Sequence, residues 1–313
     1  MTFKALSDVD FIDLYLGEDY AEIKGLVGAA SFLTPVPDDL NDDVQALRNL
    51  CENRHQETGR NEFSCFYDGR LYRATVLKDI FGRSDNLVLR QTPASVPQFE
   101  DIPLSTPLRK SIEMPGAAGL VLIAGEMGAG KTTTAASILR HRIAITGNLG
   151  VAIEDPVETL LQGRHGNGRC IQLEVRENEG YANATRKAYR MGASAFLLGE
   201  IRDSATAHEV LRASLSMFVV STIHASTFTE ALKRYVMFCE EVSQSAKANV
   251  ASTLFVLAHQ KMRINSENNK RQVDITGFNL RNTPAAQTIQ AKIAGGQFML
   301  DDVLENFTYD FKS

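Results

Sequence analysis

From Gly116 onward, short apolar runs alternate with amphipathic segments: 119-GLVLIAG-125, 130-GKTTTAASILRHRIA-144, 150-GVAIED-155, 170-CIQLEV-175, 181-YANATRKAYRM-191, 195-AFLLGE-200, 204-SATAHEVLRAS-214 and 217-MFVVSTI-223. Fully apolar strands separated by helices predict a mostly parallel sheet covered on both faces. Ligands of such sheets sit at the C-terminal ends of the strands. Further on, Thr227 and Glu230 match a capping box that opens a helix over 228–238. The spacing predicts a second helix over 243–262, then one strand over 272–280 and short helices to the end.

Residues 1–91 follow a different pattern. An acidic helix-like segment, 38-DDLNDDVQALRNLCENRHQ-56, precedes strand-like runs at 62-EFSCFY-67 and 70-RLYRATVL-77. Asp68-Gly69 between the runs predicts a tight hairpin turn, because both residues tolerate positive φ. This is a small α+β unit. Residues 92–115 then carry Pro93, Pro97, Pro103, Pro107 and Pro115, more than half of the chain's nine prolines. Each proline biases its predecessor away from helix, which predicts an extended linker with one short helix over 105–113. The expected organisation is 1–91, a linker over 92–115, and an α/β domain over 116–313.

With 313 residues there is room for about two domains. Hydrophobic usage of 44% and charged usage of 23% exclude disordered, collagen-like and coiled-coil classes. Thirty-three basic against 38 acidic residues leave a net charge of −5, which argues against nucleic acid as a partner. No apolar run reaches the roughly 20 residues that cross a bilayer. The N-terminus, MTFKALSDVDFIDLYLG, lacks the basic start and apolar core of a signal peptide, so the expected location is cytoplasmic. Cys51, Cys65, Cys170 and Cys239 form no C-x-x-C pair; they are expected to be buried hydrophobes, with no zinc.

The sharpest motif is 125-GEMGAGKT-132, a full match to G-x-x-x-x-G-K-[ST] between an apolar strand and an amphipathic helix. Gly125, Glu126, Met127, Gly128, Ala129, Gly130, Lys131, Thr132 and Thr133 are the expected nucleotide-binding residues. Backbone N–H groups and the helix N-terminus would receive phosphate oxygens, Lys131 the β- and γ-phosphates of ATP, and the Thr132 hydroxyl Mg²⁺. Two acidic segments end later strands. In 151-VAIEDPVE-158, Glu154 and Asp155 stand at a strand exit, with Glu158 close behind. In 195-AFLLGEIRD-203, Glu200 follows four apolar residues and Gly199, the shape of a Walker B strand without the usual metal-binding Asp. His224, in 221-STIHAS-226, ends the next strand and is placed to meet a γ-phosphate or the attacking water.

The succession GEMGAGKTT, IEDPVE, LLGEIRD and STIHAS resembles the secretion ATPase family of type II secretion, type IV pilus and type IV secretion systems. The resemblance runs from about Asp10 to Met262. It implies an N-terminal PAS-like domain, a C-terminal RecA-like ATPase domain, and a homohexameric ring with ATP and Mg²⁺. It also implies a cytoplasmic location at the inner membrane, docked to a platform protein. Glu200 is then the expected base, and Glu154, Asp155 and Glu158 the acids near the metal. His224 is the His-box residue, and Arg73, Arg90 and Arg190 match recurrent family arginines. Leu173 stands where relatives often have arginine, with Arg176 nearby to replace it. The tetracysteine zinc module of some members is absent. The length is closer to a retraction-type ATPase, although the family's retraction helix is not recognisable in 282-NTPAAQTIQAKIAGGQF-298. The expected function is a hexameric motor driven by nucleotide-dependent domain rotation. The alternative is a nucleotide-controlled assembly switch with little hydrolysis.

Overall fold

A computed structural model of the chain describes residues 5–80, 82, 85–93, 95–175, 179–264 and 271–304. Its contacts divide it into two units: the described residues up to Val96 together with Asp155–Leu160, and Pro97–Glu154 together with the chain from Leu161 onward.

In the first unit, strands β1 (Asp13–Leu16), β2 (Ala21–Lys24) and β3 (Leu33–Pro35) precede helix α1 (Asn41–Thr58). β4 (Glu62–Tyr67), β5 (Arg70–Lys78) and β6 (Asp85–Gln91) follow. They form one antiparallel sheet in the order β3-β2-β1-β6-β5-β4. Val44, Leu47 and Cys51 of α1 are buried in a core with Leu14, Ile23, Phe63, Tyr72 and Leu89. The hairpin turn between β4 and β5 forms as expected, with Asp68 at φ 44° and Gly69 at φ 76°. All four cysteines are buried and outside any disulfide, and Cys51 Sγ lies 3.3 Å from Cys65 Sγ.

The second unit opens with Phe99–Asp101 and helix α2 (Thr106–Glu113). Arg109 ties the start of this segment down by donating to the carbonyls of Phe99, Glu100, Ile102 and Leu104. The Phe99 ring stacks on His141 at a centroid distance of 4.0 Å. Then come β7 (Gly119–Gly125), α3 (Lys131–Thr146), β8 (Leu149–Glu154), β9 (Gly163–His165), β10 (Gly168–Glu174) and α4 (Gly180–Arg190). β11 (Ala195–Ile201), α5 (Ser204–Ser214), β12 (Phe218–His224), α6 (Phe228–Glu240) and α7 (Ala246–Thr253) follow. The last elements are β13 (Leu254–Ile264), β14 (Arg271–Asn279), α8 (Ala286–Ala294) and α9 (Asp301–Leu304).

The sheet order is β14-β13-β7-β12-β11-β8-β10-β9. The six inner strands are parallel, and β14 and β9 pair antiparallel at the two edges. Alternation along β7 separates the faces. Val121 and Ile123 meet Leu108 and Ile112 of α2 and Ile138 of α3. Leu120, Leu122 and Ala124 join the core formed with α4 to α8. The expected α/β class and mostly parallel sheet are present.

One expected element differs. The helix expected over 243–262 ends at Thr253, whose Oγ1 bonds the Asn249 carbonyl at 2.8 Å. Residues 254–264 are instead strand β13, paired in parallel with β7. The run LFVLA suits a buried strand as well as a helix, and the open edge of β7 decides between them. The capping box at α6 also departs from pattern. The Glu230 N–H donates to Thr227 Oγ1, but the Glu230 carboxylate accepts from Ser226 N and Oγ rather than from Thr227.

Candidate active site

β7 ends at Gly125, and the chain turns through Glu126, Met127, Gly128 and Ala129 before α3 begins at Lys131. Gly128 and Gly130 take φ of 76° and 83°, values that L side chains rarely adopt. Gly130 is the N-cap of α3 and offers no side-chain cap, so the first-turn N–H groups of Lys131, Thr132 and Thr133 point toward any anion in the loop. Lys131 is only 7% exposed, and its Nζ donates to the carbonyls of Gly125 and Glu126 at 3.0 Å each. Open glycine backbone, an uncapped helix N-terminus and a buried ammonium fit a polyphosphate.

Strand register brings other candidates to the same edge of the sheet. His224 pairs with Gly125 on one side, and Gln260 with Gly125 on the other. His224 Nδ1 lies 3.2 Å from the Gly125 carbonyl, a contact that needs the proton on Nδ1 and leaves Nε2 to face outward. Arg234 Nη1 donates to the His224 carbonyl at 3.0 Å. An open recess of about 450 Å³ adjoins them, lined by Glu126, Met127, His224, Ser226, Glu230 and Arg234.

β11 lies two strand spacings from β7, about 10 Å. Its pairing with β12 shifts between Leu197 and Glu200, a bulge that turns the end of the strand. Ser221 of β12, fully buried, holds that bulge: its Oγ donates to the Leu198 carbonyl at 2.5 Å and lies 3.2 Å from that of Gly199. A side chain at Gly199 would meet the Tyr181 hydroxyl of α4 at 2.5 Å, so the missing Walker B Asp has a steric counterpart. Glu200 is half-buried, with Arg202 Nε at 3.8 Å. Glu154 ends β8, one strand further on. It is 2% exposed, and its Oε2 accepts from Gln172 Nε2 at 3.2 Å.

The remaining candidates belong to other elements. Asp155 and Glu158 group with the first unit, where Arg60 Nη2 meets Asp155 Oδ1 at 2.5 Å and Arg73 Nη1 meets Glu158 Oε1 at 2.5 Å. Arg90 Nε donates to Asp13 Oδ1 at 2.8 Å, and this bond raises the pKa of a guanidinium that is charged in any case. Arg190 ends α4, just ahead of the first residue of β11. It lies at the opposite end of the strands from Glu200, in an open basic recess with Arg186 and Lys187. Arg176 lies outside the described residues. Among the described residues no three His, Cys, Asp or Glu side chains gather to hold a metal ion.

Arg60, Ser221 and Gln260 were missed from sequence. Arg60 stands in 57-ETGRNEF-63 with no motif around it. Ser221 was inside a quoted motif but unassigned. Gln260 lay in the segment expected to be helix.

Residues 86–308 match the type II/IV secretion system protein family. The chain belongs to that family. It is 29% identical over 276 residues to the Escherichia coli K12 protein YggR, an alignment covering 84% of this chain and 78% of YggR. It is 28% identical over 200 residues to the type IV pilus retraction ATPase PilT of Pseudomonas aeruginosa, covering 58% of this chain and 56% of PilT. The crystal structure of the pilus retraction motor PilT with bound ADP superposes with a TM-score of 0.75. That match has 23% identity and covers 96% of this chain and 87% of that one, which confirms the two-domain fold with its RecA-like C-terminal part. The resemblance drawn from the four motifs is borne out, and with it the expected enzyme class, since the pilus proteins PilT, PilB and PilU among the relatives are named ATPases. No described helix is long and apolar enough to cross a membrane.

Proposed function

We propose that this chain hydrolyses ATP within a homohexameric ring and powers a type IV pilus or a type II or type IV secretion machine from the cytoplasmic face of the inner membrane. The observation that carries it is the gathering of the phosphate loop, His224 and Glu200 at the C-terminal ends of neighbouring parallel strands. Lys131 and the α3 N-terminus hold the phosphates, and Mg²⁺ adds charge to them when bound. Glu200 is half-exposed at the edge and takes a proton from water, and buried Glu154 adds negative charge beside it. His224 Nε2 reads the terminal phosphate. Arg73 and Arg90 reach phosphate by exchanging their present carboxylate partners for it, which suits groups that are always charged. Rotation of the first unit about the 92–115 segment converts the nucleotide cycle to work on a membrane platform protein.

The test is ATPase activity per chain as protein concentration rises through the assembly transition, followed together with ATP binding. Turnover that climbs with ring formation supports the motor. Tight ATP binding that drives assembly with no turnover in any oligomer would establish the assembly switch instead.

A further inference from the structure

Gln260 is 1% exposed and sits at the C-terminal end of β13, beside the phosphate loop. Residues Val256 and Ala258 of β13 face α2 and α3, so by strand alternation Gln260 points to the same side. Its Nε2 donates to the Ala129 carbonyl at 2.5 Å, the last residue before the α3 N-cap. Its backbone carbonyl is where a side chain on Gly125 would have to go, and a side chain on Gly130 would come within 3.1 Å of Nε2. One residue therefore touches the loop at its first glycine, through backbone, and at its last two residues, through the amide.

The amide is not simply satisfied. Gln260 Oε1 has no hydrogen-bond partner among the described residues, although the atom is buried. A buried amide with one unmet atom is costly, and an apolar side chain of equal length would avoid that cost. What such a side chain could not do is donate to Ala129, and the side-chain bonds from Lys131 and His224 hold the loop at Gly125 and Glu126, at its start rather than at this end.

We infer that Gln260 is a positioning residue for nucleotide binding, a clamp from β13 that holds residues 125–130 in the shape whose N–H groups receive phosphate. The inference rests on the phosphate-loop assignment. Free of the clamp, the Ala129–Gly130 peptide turns more readily, and part of the binding energy goes into restoring it before the phosphate can be held.

The test compares the full chain with Gln260→Met and Gln260→Leu, which keep bulk and remove the amide. MgADP binding is measured by calorimetry and amide hydrogen exchange is followed along the chain. The expected result is MgADP binding about tenfold weaker, together with faster exchange confined to 125–130. Exchange in the rest of β13 should be unchanged and the thermal midpoint within about 4 °C of wild type. A residue that merely filled the core would shift the midpoint without this localised change. Unchanged affinity in a folded variant overturns the clamp and leaves the loop assignment standing. A wild type that binds no MgADP while Lys131→Ala behaves identically overturns both. If neither variant folds, Gln260 is a core residue and the clamp is wrong.

Discussion

Lys131 is 7% exposed and its ammonium donates to two neutral loop carbonyls, bonds that an incoming phosphate replaces with charged ones. Charge-assisted bonds of this kind are worth about 2–3 kcal/mol. Lys131→Ala should therefore weaken ATP binding roughly a hundredfold, read by equilibrium titration, while the fold survives. Ser221 acts at one remove. Its hydroxyl fixes the bulge that aims Glu200, so Ser221→Ala should lower kcat about tenfold with KM changed far less, as steady-state kinetics would show. Equal losses in kcat and affinity would argue that Ser221 supports the whole edge rather than Glu200.

At the scale of elements, α5 starts directly behind the Walker B strand because Asp203 caps it, its Oδ1 accepting from Thr206 N at 2.7 Å. Asp203→Ala should cost about 1 kcal/mol, measured by urea unfolding, and leave nucleotide affinity intact. β13 carries a pH effect as well. Burial against Phe228 pushes the His259 pKa down, with Lys261 adding to the shift and the Ala225 and Ser226 backbone opposing it. The unfolded chain then binds the extra proton first, so stability is full above the usual 6.5 and falls as pH drops below it. His259→Gln should flatten that acid loss in thermal melts between pH 7 and 5.

These elements also show what was legible beforehand. Gly128 and Gly130 announce themselves because L side chains rarely adopt their backbone conformation, and Glu200 because a carboxylate after four apolar residues and Gly199 marks a strand end. The bulge at Leu197–Glu200 is a property of two strands paired, and no local pattern encodes it. β13 was hidden because LFVLA fits either period, and Gln260 was lost with it. Arg60 with Asp155 and Arg73 with Glu158 pair side chains far apart in sequence, which chain order alone does not reveal.

For the whole molecule, the family match runs over residues 86–308, from within β6 through the second unit, and includes the phosphate loop, Glu200 and His224. The alignments cover 78% of YggR but only 56% of PilT. The proposed motor depends on Glu200 acting as the base at the C-terminal ends of these strands. The measurement that tests it most directly is steady-state ATP hydrolysis by wild type and Glu200→Gln, separated by size so that each oligomer is assayed alone, with ATP binding measured in parallel. Activity is expected in the hexamer-sized fraction, lost by at least about a hundredfold in Glu200→Gln with binding unchanged. Full turnover in Glu200→Gln would contradict it.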